Sequence, residues 1–130
     1  MRSGMAGESV GRQFIKDVRA TLEDGGYGNE ALMASNPEAW NSLMSFIGGA
    51  LGDGAVPAKY KELIAVGISA YSRCEYCIVG HVRNALQAGC TRQEILEAAT
   101  VATAFGGGPT MAYSSAILVA ALDEFEKEFQ

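Results

Sequence analysis

The apolar residues of this chain recur at three- and four-residue spacing, and no stretch sustains the residue-by-residue alternation of a half-buried strand. That pattern predicts an all-α fold. Val10, Phe14, Val18 and Leu22 repeat every four positions, which predicts an amphipathic helix over about 9–23, stopped by Gly25, Gly26 and Gly28. Asn36-Pro37-Glu38 is a start signal: an N-cap, a proline at the first helical position and an acid in the first turn. Trp40, Leu43, Met44, Ile47 and Leu51 follow at helical spacing, Trp40 with Met44 and Ile47 reading as core or subunit interface rather than a ligand box, and Gly52-Asp53-Gly54 ends the segment. Pro57 opens the next helix, which runs to about Tyr71, where Ser72-Arg73 makes a short polar break. A further helix covers about 74–88, with Gly89 as its C′ residue. Thr91 and Glu94 form a capping box for another helix, broken by Gly106-Gly107-Gly108-Pro109. A last helix, over about 110–129, turns acidic at its end and reads as a solvated face.

Composition narrows the function. The chain has 130 residues, which favours a single domain spanning 1–130. Its net charge of −5 repels phosphate backbones and anionic lipid, so neither nucleic acid nor a membrane surface is an expected partner. No stretch approaches the roughly 18 uninterrupted apolar residues of a membrane span, and Met1 to Val10 lack the apolar run of a signal peptide. A cytoplasmic location is the expectation. Three cysteines, two of them three residues apart, do not make a secreted disulfide framework.

The chemistry lies in Cys74-Glu75-Tyr76-Cys77-Ile78-Val79-Gly80-His81, a C-x-x-C-x-x-x-H run inside the segment 57–90. On a helix, Cys74 and Cys77 are i,i+3 neighbours and Cys77 and His81 are i,i+4 neighbours, so all three share a face. The first turn brings both sulfurs within disulfide range, and its unpaired N–H groups and helix dipole favour thiolate over thiol. His81 is one turn from Cys77 but two turns from Cys74, on the order of 10 Å along the axis. The histidine can therefore take or relay the proton of Cys77, which nominates Cys77 as the attacking thiolate and Cys74 as the resolving one. In the thioredoxin arrangement the first cysteine attacks; here the histidine argues the other way. If the helices around Ser72-Arg73 fold back as an antiparallel hairpin, Glu62 lies nearly opposite His81. A carboxylate there would hold one imidazole nitrogen and orient the ring.

Bland readings compete. Two thiols, His81 and Cys90 suffice for zinc, although three ligands on one straight helix fit a tetrahedron poorly. Haem attachment needs histidine directly after the second cysteine, where Ile78 stands. The cysteines can be plain buried thiols, His81 a satisfied core histidine and Glu62 a surface carboxylate. Cys90 reads as a structural cysteine, and Tyr76 as facing away from the pair. The triple glycine is no phosphate cradle, because no strand precedes it and no Lys-Ser/Thr follows.

The segments 57–65, Cys74-x-x-Cys77-x-x-x-His81 and 88–95 together resemble the AhpD-like alkylhydroperoxidase and carboxymuconolactone decarboxylase family. The likeness covers about 56–122 and includes the Gly-rich break; the helices before Val56 add nothing to it. The resemblance implies an AhpD-like helical fold assembled as a homotrimer or homohexamer. It implies reduction of a small hydroperoxide at the cysteine pair and regeneration by an external dithiol, with no metal, flavin or haem. By position it makes Cys77 peroxidatic, Cys74 resolving, and Glu62 with His81 the proton relay. The best-known peroxidase of the family has a histidine between the cysteines, where this chain has Tyr76. The decarboxylase branch usually lacks the cysteine pair. Other readings of the motif are a disulfide reductase on the same scaffold and a non-enzymatic zinc-bound or redox-sensing module.

Overall fold

Asn36 and Pro37 make the first corner of the fold. In the computed structural model, which describes residues 17–130, the Asn36 side chain accepts the Ala39 N–H at 3.4 Å and Pro37 takes the first helical position. The helix that follows, Pro37–Leu51, ends at Gly52 as the sequence predicts. We call it α2.

The helix before it, α1 (Val18–Ser35), departs from expectation at both ends. Asp17 is its N-cap, with a side chain that accepts the Ala20 N–H at 3.0 Å, so the helix starts at Val18 rather than running through Asp17. Val10 and Phe14 lie outside the described residues. Gly25, Gly26 and Gly28 do not stop it. Glycine inside a helix costs about 1 kcal/mol but clashes with nothing, and Ala31, Leu32, Met33 and Ala34 beyond them favour helix. The stop comes only at Asn36, next to the proline.

α3 spans Ala58–Tyr71. Pro57 is its N-cap rather than its first helical residue, and Asp53 reaches across the loop to accept the Ala58 N–H at 2.7 Å. α4 spans Glu75–Gln87 and α5 spans Arg92–Tyr113, opened by the expected capping box of Thr91 and Glu94. A π-helical turn, Ser114–Leu118, leads into α6 (Val119–Phe125) and a 3-10 turn at Glu126–Glu128. Among the described residues there is no strand. The expected break inside α5 is a kink at Gly107, whose φ of 66° and ψ of −148° suit glycine alone. Gly106 is required for a different reason: a Cβ there would lie 1.8 Å from Thr110 Oγ1.

One core ties these elements together. Val66 and Ala70 from α3 meet Ile78, Val79 and Val82 from α4, with Ile95, Leu118, Leu122 and Phe125 closing over them. Burying each of the large side chains contributes roughly 1.5–3 kcal/mol. The stretch Arg92–Glu128 is long and apolar enough to cross a membrane by length and composition. Part of its apolar content lines this core, where Ile95, Leu118, Leu122 and Phe125 are inaccessible, while Val101, Phe105 and Met111 are exposed.

The C′ glycine is borne out in detail. Gly89 has φ +96°, its N–H donates to Leu86 O at 3.0 Å, and the Cys90 N–H donates to Ala85 O at 2.9 Å. These are the two hydrogen bonds of a Schellman motif. Space beside Gly89 is open, so Gly89→Ala tests backbone strain alone. We expect a loss of about 1–2 kcal/mol, read from urea unfolding, and a smaller loss for Gly89→Asn.

The acidic C-terminus is not simply a solvated face. Arg19 pairs with Glu124 (2.9 Å) and Glu128, Arg83 with Glu128 (3.0 Å), and Arg92 with Asp123 and Glu126 (2.9 Å each). Three helices are thereby tied to the chain end. The Arg19 hydrogen bond holds the Glu128 carboxyl below the usual carboxylate range; desolvation opposes this and Arg83 adds to it. A depressed folded pKa gives stability that is complete above the unfolded glutamate value of about 4.3 and lost as pH falls through the folded value. The melting temperature should therefore hold from pH 7 to about 5 and drop below about 4, less steeply in Glu128→Gln.

Candidate active site

The redox helix begins in a turn that the sequence does not announce. α3 ends in a second Schellman motif: the Arg73 N–H donates to Ala70 O at 3.2 Å and the Cys74 N–H to Ser69 O at 3.1 Å. Arg73, at φ 56°, occupies the left-handed position that glycine fills after α4. This turn reverses the chain in two residues and makes Cys74 both the last residue of one motif and the N-cap of α4. In that place its sulfur accepts the Cys77 N–H at 3.3 Å.

Cys74 and Cys77 are joined as a disulfide, with Cα atoms 5.2 Å apart. Cys74 is half-buried and Cys77 exposed. The opposite face of α4 carries Ile78, Val79 and Val82, all fully buried, which locks the rotation of the helix and points the cysteine face outward. His81 lies one turn beyond Cys77 on that face, with its side chain 27% exposed.

The antiparallel register of α3 and α4 delivers Glu62 to His81. His81 Nδ1 and Glu62 Oε1 are 2.8 Å apart. A carboxylate oxygen accepts, so Nδ1 carries a hydrogen and Nε2 is the ring nitrogen left to face other partners. Among the described residues Nε2 makes no hydrogen bond, and none joins the ring to Cys77 in this disulfide state. Glu62 is 12% exposed, a carboxylate positioned by its neighbours rather than solvated. Behind the pair, the Cys90 thiol is buried and donates to Lys59 O at 3.4 Å. Burial, then the charge of Glu94, pushes this thiol up, with Lys59 opposing. Cys90 is thus an inert core thiol, as read from the sequence. It is not gathered with the pair: among the described residues no group of three or more His, Cys, Asp and Glu side chains stands close enough to hold a metal.

The structure joins Cys74 to Cys77 and places Glu62 against His81, the contact that the hairpin register predicts. What sequence reasoning missed is the sulfur cap and the left-handed Arg73. The only signal was the placement of two polar residues between an apolar helix end and a cysteine. Tyr76 is 66% exposed.

The class that fold and site define is an all-α protein with a helical hairpin carrying a C-x-x-C disulfide and, one turn on, a Glu-His pair. The chain belongs to the carboxymuconolactone decarboxylase family, whose profile matches residues 37–120. That match begins at Pro37, so α2, which contributed nothing to the resemblance read from sequence, lies within it. An uncharacterised protein of Cupriavidus necator is 34% identical over 88 residues, which covers 68% of this chain and 78% of the relative. Uncharacterised protein 4 of the cox locus of Paracoccus denitrificans is 39% identical over 74 residues, covering 57% and 66%. The crystal structure of a carboxymuconolactone decarboxylase family protein from Legionella pneumophila shares the fold, with TM-score 0.79 and 30% identity over 84% of this chain and 96% of that one. A Thermotoga maritima structure at 23% identity and TM-score 0.76, covering 85% and 96%, repeats the fold.

Proposed function

We propose that the chain is a thiol-dependent hydroperoxide reductase. The observation that carries this reading is an exposed Cys77, one turn from a histidine whose ring is held by a buried-side carboxylate, with a second sulfur already within bonding distance. In the reduced protein, His81 Nε2 takes the Cys77 proton. The Cys77 thiolate attacks the terminal oxygen of ROOH and the O–O bond breaks. Sulfur is oxidised to sulfenic acid, and the departing alkoxide leaves as ROH after taking the proton back from His81. The Cys74 thiol then displaces hydroxide from the Cys77 sulfenic acid, giving the disulfide and water. An external dithiol attacks the exposed Cys77 sulfur and releases Cys74 as thiolate, a leaving group favoured by the Cys77 N–H that caps it. Closure of the external disulfide restores both thiols.

A thiol count tests the scheme. The reduced chain has three thiols, and one equivalent of hydroperoxide should leave one, Cys90. Loss of a single thiol, or none, would overturn the reading. So would a fully oxidised pair that dihydrolipoamide and dithiothreitol both fail to reopen.

A further inference from the structure

Among the described residues, Arg73 is the one cation without an oxygen partner. Arg19, Arg83 and Arg92 hold the acidic chain end, Lys59 and Lys127 each stand 3.7 Å from a glutamate, and Lys61 donates to Gly52 O at 2.7 Å. Arg73 is exposed and makes no ion pair, in a chain whose net charge is −5. Glu75, the acid nearest to it along the chain, is engaged elsewhere, with Thr21 Oγ1 donating to it at 3.5 Å.

The backbone at this position does not favour arginine. Its φ of 56° is left-handed, and Gly89 fills the corresponding position after α4 without the strain a Cβ brings. The turn therefore does not require an arginine, and glycine would hold it better. What arginine adds is a planar, permanently charged fork one residue from the Cys74–Cys77 bridge. Strained residues of this kind gather at functional sites, where the side chain they present offsets the backbone cost.

We propose that Arg73 binds the carboxylate of an anionic dithiol, the reductant that reopens the bridge. The inference rests on the dithiol cycle proposed above, and on its reductive half alone. One thiolate of the reductant attacks Cys77 Sγ, the Cys74–Cys77 bond breaks, and Cys74 leaves as thiolate. The second thiolate of the reductant then displaces Cys77 from the mixed disulfide. The reductant gives up two electrons and closes as its own disulfide, and the two protons its thiols lose end on Cys74 and Cys77. Arg73 takes no part in these bonds. Its fork holds the carboxylate through paired N–H···O hydrogen bonds and so keeps the reductant beside the bridge. The chain as a whole repels an anion, but with a screening length of about 10 Å in 0.1 M salt that repulsion is weak next to one cation in direct contact.

Dihydrolipoate and dihydrolipoamide carry the same dithiol and differ in one group, a carboxylate against a neutral amide. Each is added to the oxidised whole chain without peroxide, and the rate of thiol appearance is measured. Dihydrolipoate should open the bridge about 3–5-fold faster at low salt, the size of effect an exposed ion pair gives. The ratio of the two rates should fall toward about 1 in 1 M salt, where the screening length is about 3 Å. In Arg73→Gly the ratio should be about 1 at low salt as well, and Arg73→Lys should keep part of the preference. Glycine suits the left-handed turn, so the melting temperature of Arg73→Gly should not drop; if that variant does not fold, Arg73→Asn replaces it. Equal rates in wild type overturn the inference and leave the dithiol cycle standing. So does a ratio that Arg73→Gly leaves unchanged, including one in which both rates fall together, because Arg73 then serves the turn or the Cys74 sulfur and not a carboxylate. A bridge that neither dithiol opens overturns the inference and the cycle alike.

Discussion

Replacing Cys77 by serine is expected to lower hydroperoxide turnover by at least about 10³-fold, because a serine hydroxyl cannot form the sulfenic acid that the cycle needs. Cys74→Ser should behave differently. Its Cys77 still consumes one equivalent of peroxide in a single turnover, but no intramolecular bridge forms, and the sulfenic acid awaits an external thiol. His81→Ala should fall between, with a loss of roughly 10²-fold that narrows as pH rises and more of Cys77 ionises unaided. The measurement is peroxide consumption with dithiothreitol as reductant, beside the first-turnover amplitude. The reverse pattern, in which Cys74→Ser loses the first turnover and Cys77→Ser keeps it, would reassign the attacking sulfur. The structure makes that a real contest: Cys74 has the capping N–H, whereas Cys77 has exposure and the nearer imidazole.

Phe125→Ala should be the most destabilising single change, with a loss of about 3–5 kcal/mol. Phe125 is fully buried in the last helix. The Arg19 guanidinium lies 5.1 Å from its ring centroid and that of Arg83 6.0 Å, and both arginines also hold Glu128. Removing the ring therefore leaves a cavity and unseats the two cations that fasten α1 and α4 to the chain end. Domains of this size have only about 5–15 kcal/mol in total. Urea unfolding measures the loss, and a cost below about 1 kcal/mol would show that the site collapses without the ring.

Most elements were legible because their signals are local. Asn36-Pro37, the Thr91-Glu94 capping box, Gly89 and the break at Gly107 each depend on a few neighbouring residues, and each appears where the sequence puts it. The departures have different origins. Gly25, Gly26 and Gly28 resemble breakers but are only weak helix formers. The acids from Asp123 to Glu128 look solvated in sequence because their partners, Arg19, Arg83 and Arg92, are far away along the chain. Arg73 in the left-handed region could not be foreseen, since arginine adopts it only when the surrounding hydrogen bonds favour it.

The sequence by itself determined the helical class, the caps at Asn36 and Thr91, and the stripe that carries Cys77 and His81 just beyond Cys74, because helical periodicity puts residues three and four apart on one face whatever surrounds them. Tertiary structure alone decided three further things. It set the 2.8 Å contact between His81 and Glu62, it gave the Cys74 sulfur its N–H, and it paired Arg19, Arg83 and Arg92 with the acidic chain end. Each depends on how one helix is rotated and seated against another. That is set by the summed packing of the core, which no short stretch of the chain contains.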